Sequence, residues 1–163
     1  MKKISLTLGL LATLATPTLA TAQAAPPNAA EMAKISYLLG TWDCSWSAGP
    51  AKGVLVSTFS NVMDGAWIQE TEAVEKDGAQ VVTTMHYTGF DTAGKRWLHA
   101  GPNADGTYEV AQSSDTLIWH DVMPNDGGTA TLKRITGTEY VLSEPFMQDG
   151  KALTYRNDCK KRS

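Results

Sequence analysis

The sequence has little positive charge and few cysteines or histidines. Its 14 Lys and Arg residues are outnumbered by 17 Asp and Glu residues, which gives a net charge of −3 at pH 7. A protein that neutralises a phosphate backbone needs a positively charged stripe, so this balance argues against nucleic acid as a partner. With 42% hydrophobic residues over 163 positions, the composition is that of one folded domain.

Long apolar runs are missing beyond the N-terminus. The one extended run, residues 4–15, follows Lys2 and Lys3 and is shorter than the about 20 residues of a membrane-spanning helix. Small residues ending at Ala24 come next, which is the pattern of a secretory signal peptide. We therefore predict a signal peptide over residues 1–24 that is cleaved after Ala24, no membrane span, and a periplasmic or secreted mature protein.

Catalytic motifs are also missing. The chain contains no Gly-x-Ser-x-Gly elbow, no His-Glu-x-x-His pair, no phosphate-binding loop and no Gly-x-Gly-x-x-Gly after a strand. The acidic residues Glu70, Glu72 and Glu75 are predicted to be a pair on a solvated outer strand face followed by a turn charge. The sequence therefore predicts no catalytic residue, and it favours a binding protein over an enzyme.

Turn signals divide the chain after Thr41 at regular intervals. They separate runs that are rich in β-branched and aromatic residues, which predict about ten strands joined by short antiparallel connections. Before them, residues 29–39 have helix-forming composition and end at Gly40, a natural helix stop. The expected fold is all-β: a ten-stranded antiparallel up-and-down barrel with one short N-terminal helix.

The two cysteines favour a closed sheet. Cys44 lies in the first predicted strand and Cys159 at the end of the last. In an up-and-down barrel with an even strand count these strands are antiparallel neighbours, so the two residues come side by side. Export provides a compartment in which a disulfide persists. We predict a bridge between Cys44 and Cys159, and the alternative is two buried free thiols.

Short motifs give the chain a resemblance to calycins. Residues 38–42 (LLGTW) resemble the motif with which lipocalins begin their first strand, and the strand count is closer to fatty-acid-binding and nitrobindin-like barrels. Residues 63–67 (MDGAW), 89–91 (GFD) and 95–97 (KRW) resemble features of an uncharacterised family of exported bacterial calycin-like proteins.

The resemblance implies a calycin-like β-barrel domain over residues 35–163, preceded by a lead-in and helix start over residues 25–34. It also implies one end plugged by the helix and one end open to a cavity. In lipocalins a basic residue after the last strand stacks on the motif tryptophan, and Arg162 or Lys160 could take that part against Trp42.

Nitrobindin-like barrels bind haem through a histidine near the C-terminus, and here no histidine follows His120. The resemblance to nitrobindin-like barrels therefore does not imply haem binding here, and no cofactor is predicted.

A register calculation brings the histidines together. If residues 91–94 form a loop, His86 lies directly opposite His99, and the next two turns bring Tyr108 and His120 beside them. Neutral imidazole is a common ligand of Zn and Cu, so His86, His99 and His120 are candidate metal ligands. Hydrogen-bonded core or surface histidines are the alternative.

Aromatic residues are the predicted wall of a ligand cavity: Trp67, Trp97, Tyr108 and Trp119. The polar residues Gln69 and Thr71, which alternate with Trp67 on one face, favour a cavity because a packed core does not readily accept an unpartnered amide. We therefore expect a small hydrophobic or amphipathic ligand that is bound without being transformed.

Two other functions stay open at this point. One is a metal- or cofactor-dependent protein that uses His86, His99 and His120. The other is a filled barrel that acts through its outer surface as an envelope interaction module.

Overall fold

The computed structural model describes residues 24–125 and 127–163, so the predicted signal peptide lies outside the described residues except for Ala24. Helix α1 (Ala29–Ile35) continues into a 3₁₀ turn (Ser36–Leu38), and a second 3₁₀ turn (Met63–Gly65) separates the second and third strands. The strands are β1 (Gly40–Ala48), β2 (Ala51–Val62), β3 (Trp67–Lys76), β4 (Ala79–Asp91), β5 (Arg96–Pro102), β6 (Tyr108–Ser113), β7 (Ile118–Met123), β8 (Thr129–Arg134), β9 (Glu139–Gln148) and β10 (Lys151–Lys161). None of the described helices is long and apolar enough to cross a membrane.

The ten strands form a single closed antiparallel barrel. Each strand pairs with its neighbours in the chain, and β1 pairs with β10 to complete the circle. Alternate side chains of a strand point to opposite faces, and in β2 the inward set is Leu55, Ser57 and Phe59, all of them buried. The structure thus confirms the predicted all-β barrel with one short helix before it.

The seam between β1 and β10 carries the disulfide. Cys44 and Cys159 are direct partners in the strand pairing and are covalently bonded, as predicted. They are 115 residues apart in the chain. A cross-link over a loop of that length stabilises the fold by about 4 to 5 kcal/mol in the loop-entropy model, chiefly by restricting the unfolded chain. The bridge therefore fastens the strand pair that closes the barrel.

The helix and its 3₁₀ turn cover the end of the barrel at which β1 begins. Met32, Ile35 and Leu38 are buried against the barrel interior. The indole N–H of Trp42 donates a hydrogen bond to the carbonyl of Leu38 at 2.6 Å. Gly40 joins the two parts with a φ of 114°, a conformation that glycine adopts without strain. This end of the barrel is plugged, as the calycin resemblance implies.

The basic residue over Trp42 is Lys161 and not Arg162 or Lys160. The Nζ atom of Lys161 lies 5.4 Å from the indole centroid. Strand alternation explains the difference, because Lys161 shares the inward face of Cys159 while its two neighbours face outward. Those neighbours form ion pairs on the surface, Arg162 with Asp43 and Lys160 with Glu139.

The inner face of β3 is the opposite of the predicted one. Ile68 is 1% exposed, and Glu70 and Glu72 follow it on the inner face. Trp67 lies on the outer face with Gln69 and Thr71. The ring of Trp67 covers Gly89, where an added Cβ would come within 2.5 Å of the indole.

The prediction was wrong because it took the large aromatic residue of β3 as the inward one. In the sequence of a strand, a tryptophan that covers a glycine on the outer face gives the same alternating pattern of large and polar residues as a tryptophan that points into the core. The two glutamates therefore face the interior and not the solvent.

Candidate functional site

A cavity of about 380 Å³ lies inside the barrel between the plug and the opposite end. Its floor is apolar and is formed by the plug and by inward residues of several strands: Ile35, Leu38, Phe59, Trp119, Leu132 and Leu142. Towards the opposite end, where hairpin turns such as residues 49–50, 77–78 and 149–150 border the barrel, the wall becomes polar. The cavity thus has an apolar part and a polar part.

The polar part of the wall is acidic. Five acidic residues from four strands line it: Glu70, Glu72, Glu109, Asp121 and Glu144. Among the described residues, no lysine or arginine lines the cavity. Because several acidic groups share a confined space, the cavity favours the uptake of protons or cations.

The two carboxyl groups on β3 show this effect most clearly. Burial raises the pKa of Glu70 well above its ordinary value, and the negative charges of Glu72 and Glu109 raise it further. Burial also raises the pKa of Glu72. The hydroxyls of Thr84 and Ser57 donate hydrogen bonds to its carboxylate at 3.0 and 3.2 Å, and these bonds lower the pKa and partly offset the effect of burial. Glu70 is therefore the carboxyl group of this pair that most readily holds a proton.

A pair of histidines lies next to Glu70. Glu70 is the direct partner of His86 in the β3–β4 register, and His99 comes from β5. Nδ1 of His86 lies 2.9 Å from Nε2 of His99, and the hydroxyl of Thr88 lies 2.8 Å from Nδ1 of His99. One potential ligand atom from each of Glu70, His86 and His99 lies within 4.8 Å of the other two.

Both imidazoles are neutral at neutral pH. Burial lowers the pKa of His99 to about 3, and the neighbouring His86 lowers it as well. Burial also lowers the pKa of His86, which Asn103 and Gly101 partly oppose. Nε2 of His86 is nevertheless buried without a completed hydrogen bond to any described residue. The pair therefore brings no positive charge to the cavity wall.

Three further polar side chains in the wall can contribute to ligand binding. Oδ1 of Asn157 is buried and has no hydrogen-bond partner among residues 24–125 and 127–163. Tyr140 and Tyr155 also line the cavity, and burial raises the pKa of both phenols. Their hydroxyls stay protonated and can donate hydrogen bonds to a bound molecule.

The predicted histidine cluster is reduced to two members. In the β4–β5 pairing His99 lies opposite Thr88, two residues from the predicted partner His86. A shift of two residues preserves the face, so the two histidines still meet, diagonally and not directly opposite each other.

Tyr108 and His120 are not part of the cluster. The β5–β6 register pairs His99 with Ala111, three residues from the predicted partner Tyr108. An odd shift inverts the face, and it carries His120 to the outside together with Tyr108. Tyr108 is 51% exposed, and His120 is exposed as well.

Of the four aromatic residues predicted to line the cavity, the structure places one there. Trp119 is in the wall, with its ring centroid 5.9 Å from that of His99. Trp97 is buried beside Phe90 in the core, away from the cavity wall. Trp67 and Tyr108 lie on the outside of the barrel, as described above.

Glu70 and Glu72 are among the cavity residues that the sequence prediction missed. The available signal was the alternation Ile68, Glu70, Glu72, in which a β-branched apolar residue leads the acidic pair. Acidic residues are seldom buried, so the pattern was interpreted as a solvated face.

No known family model matches the chain, and no curated protein matches it either. The closed ten-stranded barrel is consistent with a calycin-like fold. The residues of the cavity are therefore the features from which a function is inferred.

Proposed function

We propose that this protein is an exported calycin-like barrel that binds a small amphipathic molecule with a positively charged group, without transforming it. The observation that carries the proposal is the composition of the cavity wall, which combines an apolar floor with five carboxylates and, among the described residues, no lysine or arginine. Its volume of about 380 Å³ lies within the usual range of about 300 to 1,000 Å³ for small-molecule sites.

The apolar floor supports a hydrocarbon portion in the ligand. Phe59, Leu132 and Leu142 present only carbon atoms from their side chains. The indole N–H of Trp119 already donates to the carbonyl of Thr116 at 3.2 Å, so its ring also offers an apolar surface. Burying hydrocarbon against such a surface contributes about 25 cal/mol for each Å² removed from water.

The acidic wall supports a cationic head group such as a protonated amine. Glu72, Glu109, Asp121 and Glu144 lie closer to the unplugged end than the floor does, as the strand directions require. A cation among these groups relieves their mutual repulsion in a region where charges interact more strongly than in water. An anionic ligand of the same length meets that repulsion instead.

Export is the second part of the proposal. It is supported by the signal-peptide pattern of residues 1–24 and by the Cys44–Cys159 disulfide, a modification that persists in oxidising compartments. Separately, the presence of a cavity favours a ligand-binding barrel over a filled barrel that acts through its outer surface. The calycin resemblance of residues 38–42 agrees with both parts.

The test compares ligands that differ only in charge. The mature chain, stripped of metal, is titrated with n-octylamine, n-octanol and n-octanoate while tryptophan fluorescence and thermal unfolding are followed. We expect octylamine to shift the emission and to raise the melting temperature more than octanol, and octanoate to have the smallest effect. Equal binding of octylamine and octanoate, or no response to any of the three, contradicts the proposal.

Two variants locate the binding site. Glu72→Gln removes a carboxylate from the cavity wall and should weaken octylamine binding, whereas Glu75→Gln changes an exposed residue of the same strand and should not. Trp119→Phe should remove most of the fluorescence change while binding persists in the thermal assay. If Glu75→Gln weakens binding as much as Glu72→Gln does, the ligand binds outside the cavity.

A further inference from the structure

We propose that Glu70, His86 and His99 form a binding site for a first-row divalent transition-metal ion on the wall of the cavity. The three residues project from the adjacent strands β3, β4 and β5 towards the barrel interior. Two neutral imidazoles and one carboxylate are a donor set typical of Zn²⁺ and its neighbours in the series, and not of Mg²⁺ or Ca²⁺. The inference goes beyond the proposed function and does not depend on it.

The spacing of the two ring nitrogens suits a shared ion. Nδ1 of His86 and Nε2 of His99 are 2.9 Å apart. Two nitrogens that each lie about 2.1 Å from one ion are separated by about 3.0 Å at a right angle and by about 3.4 Å at a tetrahedral angle. The two rings can therefore chelate one ion with a displacement of about half an ångström or less.

The surroundings of His99 orient it for this role. Its Nδ1 lies 2.8 Å from the hydroxyl of Thr88, which can accept a hydrogen bond from Nδ1–H. In that tautomer the lone pair of Nε2 points at the site. Histidines that bind metals usually have such a partner on the other ring nitrogen, because it holds the ring in position and increases its basicity.

His86 is positioned by packing and not by a completed hydrogen bond from its other ring nitrogen to a described residue. When Nδ1 of His86 binds the ion, the proton lies on Nε2, the atom that is otherwise buried without a completed hydrogen bond. Gly101 lets the ring lie against the backbone, since a Cβ there would come within 2.6 Å of Cδ2 of His86.

Glu70 supplies the negative ligand. Its carboxyl group lies near the charges of Glu72 and Glu109, and although Ser57 offers it a hydrogen bond, no lysine or arginine among the described residues lines the cavity beside it. A divalent ion provides a positive partner. Binding forms one metal–oxygen bond and two metal–nitrogen bonds and releases one proton wherever Glu70 was protonated, and the neutral histidines release none.

Three protein ligands leave at least one position of the ion directed towards the cavity. Water or a donor atom of a cavity ligand can occupy this position. The four other carboxylates of the wall remain for a cationic group, so the metal and the proposed organic ligand need not compete for the same residues.

The test uses the mature, disulfide-bonded chain without an affinity tag, stripped with EDTA and dialysed. Calorimetric titration with Zn²⁺ should show one ion per chain, and the melting temperature should rise with Zn²⁺. Co²⁺ should give visible absorption bands that report nitrogen ligands, and Mg²⁺ should give no heat of binding. Absence of saturable Zn²⁺ binding overturns the proposal.

Matched variants assign the ligands. His86→Gln, His99→Gln and Glu70→Gln should each weaken Zn²⁺ binding at least tenfold, whereas His120→Gln and Glu75→Gln alter exposed residues of the same types and should leave it unchanged. Equal affinity of wild type and the His86→Gln variant overturns the site.

Thr88→Val keeps the shape of the residue and tests the site without removing a ligand. It should weaken Zn²⁺ binding about tenfold, the lower end of the range for a group that orients a metal ligand. Unchanged Zn²⁺ affinity contradicts the role given to Thr88. If octylamine binds and Zn²⁺ does not, the metal site is refuted and the proposed function stands. If Zn²⁺ binds and octylamine does not, the proposed function is refuted and the metal site stands.

Discussion

Glu70 lies directly opposite His86 in the β3–β4 pairing, and both side chains line the same cavity. Burial disfavours the charged form of each, so it raises the pKa of the carboxyl group and lowers the pKa of the imidazole. Because of these shifts, substitutions of the carboxyl group and of the imidazoles should change the stability of the fold over different pH ranges.

In the metal-free protein, Glu70→Gln should stabilise the fold at neutral and alkaline pH. The folded pKa of Glu70 is raised above 4.5, so its contribution is fully present below about pH 4.5 and is lost as the pH rises through the folded pKa. Glutamine resembles the protonated carboxyl group and does not titrate. Thermal unfolding from about pH 4 to about pH 9 should show a gap in melting temperature that opens as the pH rises.

The control for this experiment is Glu75→Gln on the same strand, which should show no such gap. A difference between Glu70→Gln and wild type that is constant with pH contradicts the predicted titration.

His99→Phe should reduce the sensitivity of the fold to acid. The folded pKa of His99 is lowered from 6.5 to about 3, so its contribution is present above about pH 6.5 and is lost as the pH falls towards 3. Within that window the unfolded chain binds one more proton, which costs about 1.4 kcal/mol per pH unit. Urea unfolding should give a shallower loss of stability below pH 6.5 for the variant than for wild type.

His120→Gln, on the outside of the barrel, should retain the wild-type slope. A His99→Phe variant with the same slope as wild type would show that His99 takes up its proton in the folded state as readily as in the unfolded state.

Removing the disulfide should weaken the barrel at its seam. In the Cys44→Ala/Cys159→Ala variant the unfolding free energy should fall by up to about 4 to 5 kcal/mol, because the unfolded chain regains the freedom of a 115-residue loop. Urea unfolding of wild type with and without a reductant, and of the variant, provides the measurement. The reductant should shift the wild-type midpoint and leave that of the variant unchanged.

Gly101→Ala should disturb both the fold and the histidine pair. A Cβ at this position would lie 2.0 Å from the carbonyl oxygen of Met85 and 2.6 Å from Cδ2 of His86. Overpacking of this kind costs about 1 to 3 kcal/mol. Thermal unfolding and Zn²⁺ titration should both show a loss.

Gly137→Ala is the matched control for Gly101→Ala, since its Cβ would meet only Arg134, at 3.7 Å. It should change the unfolding free energy by no more than about 0.5 kcal/mol. Equal effects of the two substitutions would contradict the close approach at Gly101.

The calycin-like motif predicted the plug, and the turn signals predicted the strand count. The residues of the cavity wall were predicted poorly. The prediction failed at two kinds of position. At Trp67 the large aromatic residue was taken as inward, although it covers Gly89 from outside. At Tyr108 an odd error in one turn inverted the face and carried His120 with it.

The sequence by itself determined the strand order, the closure and the Cys44–Cys159 pair. Turn signals and alternation are local properties, and in a closed meander of ten strands the first and last strands must be neighbours. Only the tertiary structure decided which faces of β3, β6 and β7 point inward, and therefore that Glu70 joins His86 and His99 in one cavity. The physical reason is that the length of a turn changes register in steps of one residue, and each odd step exchanges the inner and outer side chains.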